Sequence, residues 1–414
     1  MRRFALALLV LSALATPSEG APALHRGVGV HEWLNWAPLA EDGSYRRPPY
    51  RSIEQWLSGA RPISDWPPTD PFETIRSLGF DFVRLSVDPG PLLASSGAER
   101  QETLDVLKSA VGHVTGAGLS VVFDLHAVTQ KPEHSLDALE SRADSYGALA
   151  YRKMVADVAG MLATLDIDRV ALEPYNEPAF YPCEGQGTGE WQKVMSETVA
   201  AIRAVSADLT IVATGACGGS ITGLVDLDPN FDDPNILYSF HMYEPHSFTH
   251  QRLDDPKAFG SGLPWPAETS TAEIVLETLK ARMEAAGLSE VEQTSNLLAV
   301  QPIVDDYFRE NWGEEQLDTW FAEALEWAAA HEISSSRLFM GEFGAILISE
   351  DGRMGAYDAD RLRYLEAVRT QAEAHDMAWA MWEFSNPYGM SLIEPTGPAV
   401  PDARMLQALG LGDQ

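Results

Sequence analysis

Eight short runs rich in β-branched and aromatic residues alternate along this chain with longer amphipathic stretches. Strands separated by helices pair in parallel, so this pattern predicts an α/β protein, specifically a (β/α)8 TIM barrel. The predicted strands are Gly27–Leu34, Phe80–Val87, Leu119–Leu125, Arg169–Tyr175, Leu209–Thr214, Leu237–Tyr243, Arg337–Glu342 and Met377–Glu383. The predicted helices are Pro71–Leu78, Glu99–Thr115, Tyr146–Thr164, Glu190–Val205, Ala272–Ala286, Glu314–His331, Ala359–His375 and a short one at Ala403–Leu409.

A doubly wound sheet is the alternative fold, and it should carry a glycine-rich phosphate loop after its first strand. Gly27-Val28-Gly29 begins a strand instead of following one. Neither an internal repeat nor a low-complexity linker marks a second module, so we expect a single domain with long βα loops. The longest are Ala37–Asp70 and Pro245–Ser336. The second carries two of the predicted helices and is expected at the mouth of the barrel.

Charge and composition limit the classes of partner. The chain has 414 residues, of which 29 are basic and 61 acidic, giving a formal net charge of −32. Binding to DNA or RNA depends on clustered Lys and Arg, so a nucleic-acid partner is excluded. The same repulsion argues against anionic membranes and acidic polysaccharides. With 45% hydrophobic residues the chain can build a large core, and a neutral substrate fits best.

The N-terminus has the order of segments found in a signal peptide. Two arginines precede an apolar run, Phe4–Ala15, that is shorter than the roughly 20 residues needed to span a bilayer. Cleavage after Ala15 and cleavage after Ala23 both fit the pattern. We therefore predict a signal peptide over residues 1–23, a mature domain over 24–414, and a secreted or periplasmic location.

The chain has two cysteines, Cys183 and Cys217. In an exported protein they could form a disulfide that closes a loop of about 35 residues, worth roughly 3–4 kcal/mol in the chain-entropy model. Two buried free thiols are the alternative. Cys183 follows the fourth predicted strand and Cys217 the fifth, which places them on adjacent loops and favours the bridge.

Polar residues concentrate where the predicted strands end, which is the end of such a barrel that carries active sites. The segments are Arg84 in strand two, Asp124-Leu125-His126, Tyr175-Asn176-Glu177-Pro178, His241-Met242-Tyr243-Glu244, Gly341-Glu342-Phe343-Gly344 and Met381-Trp382-Glu383. Each residue alone has a structural explanation, such as an ion pair, a core ring or a helix cap. Independent structural roles do not predict convergence at six strand ends, so we interpret these residues as one site.

These motifs resemble those of glycoside hydrolase family 5. Asn176-Glu177-Pro178 after one strand and Glu342 after another are similar to its acid/base and nucleophile motifs. The other matching positions are Arg84, His126, His241, Tyr243 and Trp382, and the segment from His241 to Gln251 is similar to that of bacterial cellulase-like members. Strand one, Gly29-Val30-His31-Glu32-Trp33, departs from the sequence common in the family.

The resemblance implies catalysis by two carboxyl groups that flank a glycosidic bond, with retention of configuration. Glu177 would be the acid/base, which requires a raised pKa, and Glu342 the nucleophile, which Arg84 and Tyr243 would keep ionised. Asn176 would hold the sugar 2-hydroxyl. The remaining predicted binding residues are His126 and His241, which would orient carboxylates or substrate, and Trp382, on which a pyranose ring can stack.

Several neighbouring residues have less certain assignments. Strict strand alternation would point Asn176 and Glu177 to opposite faces, so the strand must bulge or turn before Pro178. We expect hydrogen bonds to the active-site residues, not direct chemistry, from Asp124, Glu173, Glu244 and Glu383. Sugar platforms and loop packing are both open for Trp33, Trp36, Trp265 and Trp312.

The leading functional hypothesis is a secreted retaining endo-β-1,4-glucanase that acts on a neutral β-glucan or related polysaccharide or oligosaccharide. The alternatives within the family are a β-mannanase, a xyloglucanase and an exo-β-glucosidase. A barrel metallohydrolase should show His-x-His on strand one, where only His31 is present. A non-catalytic sugar-binding barrel should lack one of the two glutamates. We expect no cofactor, no metal, no nucleic acid, no membrane partner and a monomer.

Overall fold

The computed structural model describes residues 22–135, 142–178, 189–251, 259–387 and 389–412. Within these ranges eight parallel strands close into a barrel in the order β1 to β8, each strand pairing with its neighbours in sequence and β8 with β1. The strands are β1 (Arg26–Leu34), β2 (Phe82–Val87), β3 (Ser120–Leu125), β4 (Val170–Glu173), β5 (Thr210–Thr214), β6 (Ile236–Met242), β7 (Leu338–Phe343) and β8 (Ala378–Met381). The predicted (β/α)8 TIM barrel is confirmed.

Helices surround the barrel, and no helix within the described ranges is long and apolar enough to cross a membrane. The α-helices are α1 (Ile53–Ala60), α2 (Pro71–Ser77), α3 (Gly90–Leu93), α4 (Gly97–Gly116), α5 (Tyr146–Leu162), α6 (Gly189–Arg203), α7 (Ile221–Val225), α8 (His246–Thr249), α9 (Ala272–Ala285), α10 (Glu290–Glu310), α11 (Glu314–Ala330), α12 (Asp358–Ala374) and α13 (Ala403–Ala408). Short 3₁₀ helices occur at Ile63–Asp65, Pro132–His134, Ile167–Arg169, Ala267–Thr269 and Ser335–Arg337.

Helix α2 forms where its boundary residues predict it. Asp70 is the N-cap, and its carboxylate accepts hydrogen bonds from the backbone N–H groups of Phe72 and Glu73. Pro71 occupies the first turn, where its missing N–H costs nothing. Gly79 follows the helix with φ of 99°, a left-handed conformation that glycine adopts readily.

Helix α10 was not predicted from the sequence. Its 21 residues bury only Gln293, Val300, Val304 and Tyr307, and Pro302 lies inside it, so the apolar periodicity is weak. One signal is nevertheless present. Ser289 and Glu292 form a capping box, in which each side chain bonds the other's backbone N–H, and this motif can be recognised in the sequence.

Apolar side chains fill the barrel near the starts of its strands. This cluster contains Phe82, Val122, Ala171, Val212, Phe339, Ala378 and Ala380. Gly27 makes room for it, because a Cβ at this position would lie 2.2 Å from the ring of Phe82. The opening glycine of β1 therefore serves packing and not phosphate binding. The apolar end of the barrel stabilises the fold, and the opposite end is left for polar groups.

Two predicted features fall partly or wholly outside the described residues. The signal peptide over residues 1–23 and its cleavage site stay predictions, because residues 1–21 are not among them. Cys183 also lies outside the described residues, whereas Cys217 is disulfide-bonded. The disulfide at Cys217 agrees with the predicted bridge, and its pairing with Cys183 stays a prediction.

Candidate active site

The predicted site residues meet at the C-terminal ends of the strands. A cleft of about 730 Å³ opens there. The predicted residues that line it are His126, Glu177, His241, Tyr243, Glu342 and Trp382. Arg84 and Asn176 are buried close to these residues and hydrogen-bonded to each other. The structure therefore brings all eight predicted residues together.

Arg84 is the centre of the buried charge network. Its Nη1 donates to Glu342 Oε1 at 2.6 Å and its Nε to Glu173 Oε2 at 2.7 Å. Its Nη2 donates to Asn176 Oδ1 at 2.8 Å and lies 3.3 Å from Asp124 Oδ2. Burial lowers the pKa of Arg84, but the three carboxylates together raise that pKa by more than burial lowers it. The guanidinium therefore stays charged.

Glu342 reaches the site through an irregularity in β7. The pairing of β6 with β7 passes from Phe240–Met340 directly to His241–Glu342 and skips Gly341. A bulge of this kind redirects the following side chain and is common beside active sites. A Cβ on Gly341 would lie 2.9 Å from Ser239 Oγ, so a glycine is needed at this position.

Two donors hold the buried carboxylate of Glu342. Arg84 binds Oε1, and the Tyr243 hydroxyl donates to Oε2 at 3.0 Å. Burial raises the pKa of Glu342, and the nearby Glu177 carboxylate raises it too, whereas His241 and Arg84 lower it. The net pKa lies above the usual value of 4.5. The two donors thus offset only part of the cost of burying this charge.

Glu177 lies beyond the end of its strand. Because β4 ends at Glu173, strand alternation does not apply to Asn176 and Glu177, and both turn toward the cleft end as the predicted turn requires. The Glu177 side chain is 38% exposed, and its Oε1 lies 2.6 Å from His241 Nδ1. Glu177 is therefore the more exposed of the two glutamates that line the cleft.

The predicted direction of the Glu177 pKa is wrong. Burial raises that pKa, but the hydrogen bond and charge of His241, with smaller effects from His126 and Arg84, bring it below 4.5. The pKa of His241 is raised, because Glu342 and Glu177 outweigh the effect of burial. The two pKa shifts therefore favour a proton on the His241 imidazole over a proton on the Glu177 carboxylate.

A second chain of hydrogen bonds supports the opposite wall. Asn176 Nδ2 lies 3.1 Å from His126 Nε2, and His126 Nδ1 lies 2.8 Å from Asp124 Oδ2. The His126 ring is therefore held from both sides, by Asn176 at one nitrogen and by Asp124 at the other, which fixes its orientation. Asp124 also accepts from the Ser86 hydroxyl, and Arg84 and His126 lower its pKa to about 2 against the effect of burial.

Of the four carboxylates expected to bond active-site residues, three do so, whereas Glu383 bonds residues outside the predicted site. Asp124 and Glu173 bind Arg84. Glu244 Oε2 accepts from the backbone N–H of Tyr243. Glu383 accepts from Asn386 Nδ2 at 2.9 Å and from two backbone N–H groups of β1.

The four tryptophans with open assignments now separate into two groups. Trp33 and Trp265 are buried, and Trp312 packs against the core while its indole N–H bonds Glu310. Trp36 is the one that lines the cleft. Packing is therefore the role of the first three, and the fourth is a partly exposed residue of the cleft lining.

Sequence reasoning did not assign a role to several cleft residues. His31 lies in the strand-one segment that departs from the family pattern. Its ring packs against the rings of His126 and Trp382, with centroids 4.7 and 4.8 Å away. His246 and His250 stack with ring centroids 4.0 Å apart, and both line the cleft. The sequence signal that could have predicted this pair is the four-residue spacing of the two histidines just after the end of a strand. Among the described residues of the long 245–336 excursion, these two line the cleft.

Glu177, His241 and Glu342 could together hold a metal ion. Each offers one ligand atom, and these atoms lie within 4.8 Å of one another. The three side chains already form hydrogen bonds, since His241 bonds Glu177 and both Arg84 and Tyr243 bond Glu342. The geometry is thus explained by hydrogen bonds alone, and the prediction that no metal is needed stays a prediction.

Comparison with known proteins assigns the family. The family model Cellulase (glycosyl hydrolase family 5) matches residues 61–386, which is more than half of the chain. Endoglucanase 3 of Fibrobacter succinogenes is 25% identical over 400 residues, which cover 94% of this chain but 53% of that protein. Endoglucanase C of Acetivibrio thermocellus is 24% identical over 323 residues, covering 75% of this chain and 82% of that protein.

A solved structure gives the same fold. The cellulose synthase subunit Z of Clostridioides difficile superposes with a TM-score of 0.62 at 19% identity, covering 94% of this chain and 99% of that one. At this identity the likeness concerns the fold alone. Together with the matched family model and the site geometry, it leads to one conclusion: the chain belongs to the cellulase family, glycosyl hydrolase family 5, and is a glycosyl hydrolase.

Proposed function

We propose that this protein is an exported, retaining endo-β-1,4-glucanase in which Glu342 is the nucleophile and Glu177 the acid/base. The observation that carries the double-displacement part of the proposal is the proximity of the two carboxylates, since an oxygen of one lies within 4.8 Å of an oxygen of the other. Retaining glycosidases hold their carboxyl groups about 5–5.5 Å apart, whereas inverting enzymes leave about 6.5–9.5 Å for a water molecule.

The difference in exposure between the two carboxylates supports their separate roles. Glu342 is buried on the floor of the cleft between Arg84 and Tyr243, where a charged group can attack the anomeric carbon from below. Glu177 is partly exposed and lies above, within reach of the departing oxygen. Both must act together, because the C–O bond breaks as the nucleophile bonds to carbon.

In the first step, a carboxylate oxygen of Glu342 bonds to the anomeric carbon. The glycosidic bond breaks, and Glu177 transfers a proton to the departing oxygen. The result is a covalent glycosyl-enzyme and a released chain end. Arg84 and Tyr243 hold the attacking carboxylate in position, and the Asn176 amide is placed to bind the 2-hydroxyl of the reacting sugar.

The proton for this step has a source next to Glu177. His241 holds a proton 2.6 Å from the Glu177 carboxylate. Bound sugar covers the exposed part of Glu177 and removes water from it, which raises the affinity of the carboxylate for that proton. A carboxylate with a lowered pKa can thus act as the acid once the sugar is bound.

In the second step, Glu177 acts as a base. It takes a proton from water, the water oxygen bonds to the anomeric carbon, and the bond to Glu342 breaks. The released Glu342 carboxylate is again stabilised by Arg84 and Tyr243. Two inversions at one carbon give net retention.

The substrate class and location rest on further support. Both relatives reported above are named endoglucanases. The acidic chain favours a neutral polymer, and Trp382 offers an aromatic face in the cleft. Export is supported by the predicted signal peptide over residues 1–23 and by the disulfide at Cys217, since disulfides persist in oxidising compartments.

Hydrolysis of a soluble β-1,4-glucan tests the proposal. We expect activity in the medium or periplasm, a fast fall in viscosity, and few new reducing ends per unit of viscosity lost. Glu342→Gln and Glu177→Gln should each lose at least about a thousandfold in kcat, as expected for a reacting group. The matched control is Glu332→Gln, an exposed glutamate after α11, which should match the wild type. Sugar release without viscosity loss would contradict endo action, and an active Glu342→Gln enzyme would contradict the assignment of the nucleophile.

A further inference from the structure

The loop between β5 and α7, residues 215–220, carries the disulfide at Cys217 and forms part of the cleft lining. Its backbone packs directly against the acid/base and the histidine that bonds it. A Cβ on Gly219 would lie 3.4 Å from Glu177 Cγ and 3.6 Å from His241 Nδ1. The loop therefore contacts both partners of the 2.6 Å hydrogen bond between Glu177 and His241.

Two backbone hydrogen bonds join the loop to the segments that carry these two side chains. The N–H of Gly218 donates to the carbonyl of Pro178, the residue after Glu177, at 3.0 Å. The N–H of His241 donates to the carbonyl of Gly219 at 2.8 Å. A shift of the loop would therefore move the segment of Glu177 relative to that of His241.

The backbone of the loop is left-handed at three successive residues. The φ angle is 63° at Cys217, 64° at Gly218 and 68° at Gly219. Glycine adopts this conformation readily, whereas a residue with a side chain does so at a cost in energy. Such a conformation persists only where surrounding contacts enforce it, and the disulfide is a covalent contact at Cys217. The cross-link is thus located at the residue where the loop most needs restraint.

The two ends of the loop are held by α7. A Cβ on Gly215 would lie 2.1 Å from the carbonyl oxygen of Gly223, and a Cβ on Gly223 would lie 1.5 Å from that of Ala216. At the other end the Ser220 hydroxyl caps α7 by accepting from the N–H of Gly223. The disulfide is the covalent restraint on the middle of the loop, residues 217–219, which is the part next to the acid/base.

We propose that this loop is a positioning device for the acid/base: the disulfide at Cys217 holds residues 217–219 in place, and the loop holds the Glu177 carboxylate at His241. Reduction of the disulfide would let the loop shift and would weaken proton transfer to the departing oxygen. The attack by Glu342 would be retained, because that carboxylate keeps its own two donors. Full activity would therefore need an oxidising compartment. This inference rests on the proposed role of Glu177.

Aryl β-cellobiosides with leaving groups of different acidity test the proposal. Dithiothreitol supplies two electrons and two protons that convert the disulfide into two thiols, and is itself oxidised to a cyclic disulfide. Phenolate needs a proton from Glu177 as it departs, so kcat/KM for phenyl β-cellobioside should fall by about 100-fold, as for a group misplaced by about 1 Å. Dinitrophenolate departs with little help from an acid, so kcat/KM for 2,4-dinitrophenyl β-cellobioside should change by less than about twofold.

Two variants test the loop without a reductant. Cys217→Ser should show the same dependence on the leaving group and should not respond to dithiothreitol. Gly219→Ala keeps the disulfide but places a side chain on a left-handed residue next to Glu177, so it should show the same pattern even if the reduced protein unfolds. The matched control is Gly287→Ala, after α9, where φ is 75° and a Cβ would meet no atom within 4 Å. This control should match the wild type on both substrates.

The titration of His241 gives a readout that needs no substrate. The charge and hydrogen bond of Glu177 help to raise the pKa of His241, so that pKa should fall when the loop is released. NMR of isotope-labelled histidine in the oxidised and reduced protein would measure it, with the resonance assigned from the spectrum of His241→Asn.

Three results would overturn the proposal: equal losses on both aryl cellobiosides in Gly219→Ala, an unchanged kcat/KM of the reduced enzyme for phenyl β-cellobioside, or an unchanged titration of His241 after reduction. An oxidised wild type that is inert on both aryl cellobiosides would count against the proposed function. The titration of His241 would then decide whether the loop positions Glu177.

Discussion

At the scale of single residues, Arg84 explains why the floor of the cleft can hold so many acids. One buried cation contacts the carboxylates of Asp124, Glu173 and Glu342 and the amide of Asn176. An isolated buried carboxylate would take up a proton to escape the cost of desolvation. Burial still raises the pKa of Glu342 in this network, and the charge of Arg84 makes that rise smaller.

Tyr243→Phe tests this account of Glu342. The substitution removes the hydroxyl that donates to Oε2 and stabilises the ionised carboxylate. Glu342 attacks only when ionised, so activity is lost as the pH falls through its pKa. Without this donor the pKa rises further, and the acid limb of the kcat/KM profile should move to higher pH. We expect kcat to fall about 10- to 100-fold, in the range for loss of one active-site donor.

The control for this variant is Tyr238→Phe, in β6, the strand that Tyr243 directly follows. The Tyr238 hydroxyl bonds the Pro229 carbonyl, away from the site, so its loss should leave the pH profile unchanged. An acid limb at the wild-type position in Tyr243→Phe would show that Tyr243 does not control the ionisation of Glu342.

The site residues could be identified from the sequence because a parallel barrel gathers its strand ends at one face. The pKa of Glu177 could not, since its direction depends on a 2.6 Å contact with His241 from another strand. Nor could the sequence separate Trp36 from Trp33, three residues earlier. Trp36 lines the cleft whereas Trp33 is buried, because the backbone takes a left-handed conformation at Trp36.

At the scale of secondary structure, the barrel divides stability from chemistry. The strand starts carry the apolar cluster around Phe82 and Phe339, whose rings lie 5.9 Å apart between centroids. The strand ends carry the charged network. Mutations at the two ends should therefore have separable effects.

Phe82→Ala tests this division. Deleting a fully buried phenylalanine leaves a cavity and should lower the free energy of unfolding by about 3–5 kcal/mol. Denaturant unfolding would measure the loss. The fraction that remains folded should keep the wild-type kcat, because Phe82 lies away from the cleft. A large fall in kcat with unchanged stability would contradict the division.

The strands were predictable because each is short, apolar and bounded by turn residues, and the observed ends differ from the predicted ones by a few residues. Helix α10 shows the limit of periodicity. Its surface-facing sequence has little apolar repetition, so only its capping box marks it. The bulge at Gly341 has no comparable signal, because it arises from pairing between β6 and β7.

At the scale of the whole molecule, the features of the chain agree on one kind of substrate. An acidic protein, a cleft lined by carboxylate, histidine and tryptophan side chains, and two closely spaced carboxylates all fit cleavage of a neutral glycan. The barrel could be predicted from the alternation of elements along the chain. The path of the glycan could not, since it depends on loops that follow different strands.

The central claim is that Glu342 forms a covalent bond with the substrate. Mass spectrometry after incubation with a 2-deoxy-2-fluoro β-cellobioside bearing a good leaving group tests it most directly, since the fluorine slows release of the intermediate. We predict a mass increase of one fluorocellobiosyl group, located by peptide mapping on Glu342 and absent from Glu342→Gln. A label on Glu177, or turnover of glucan with no label on the protein, would contradict the account.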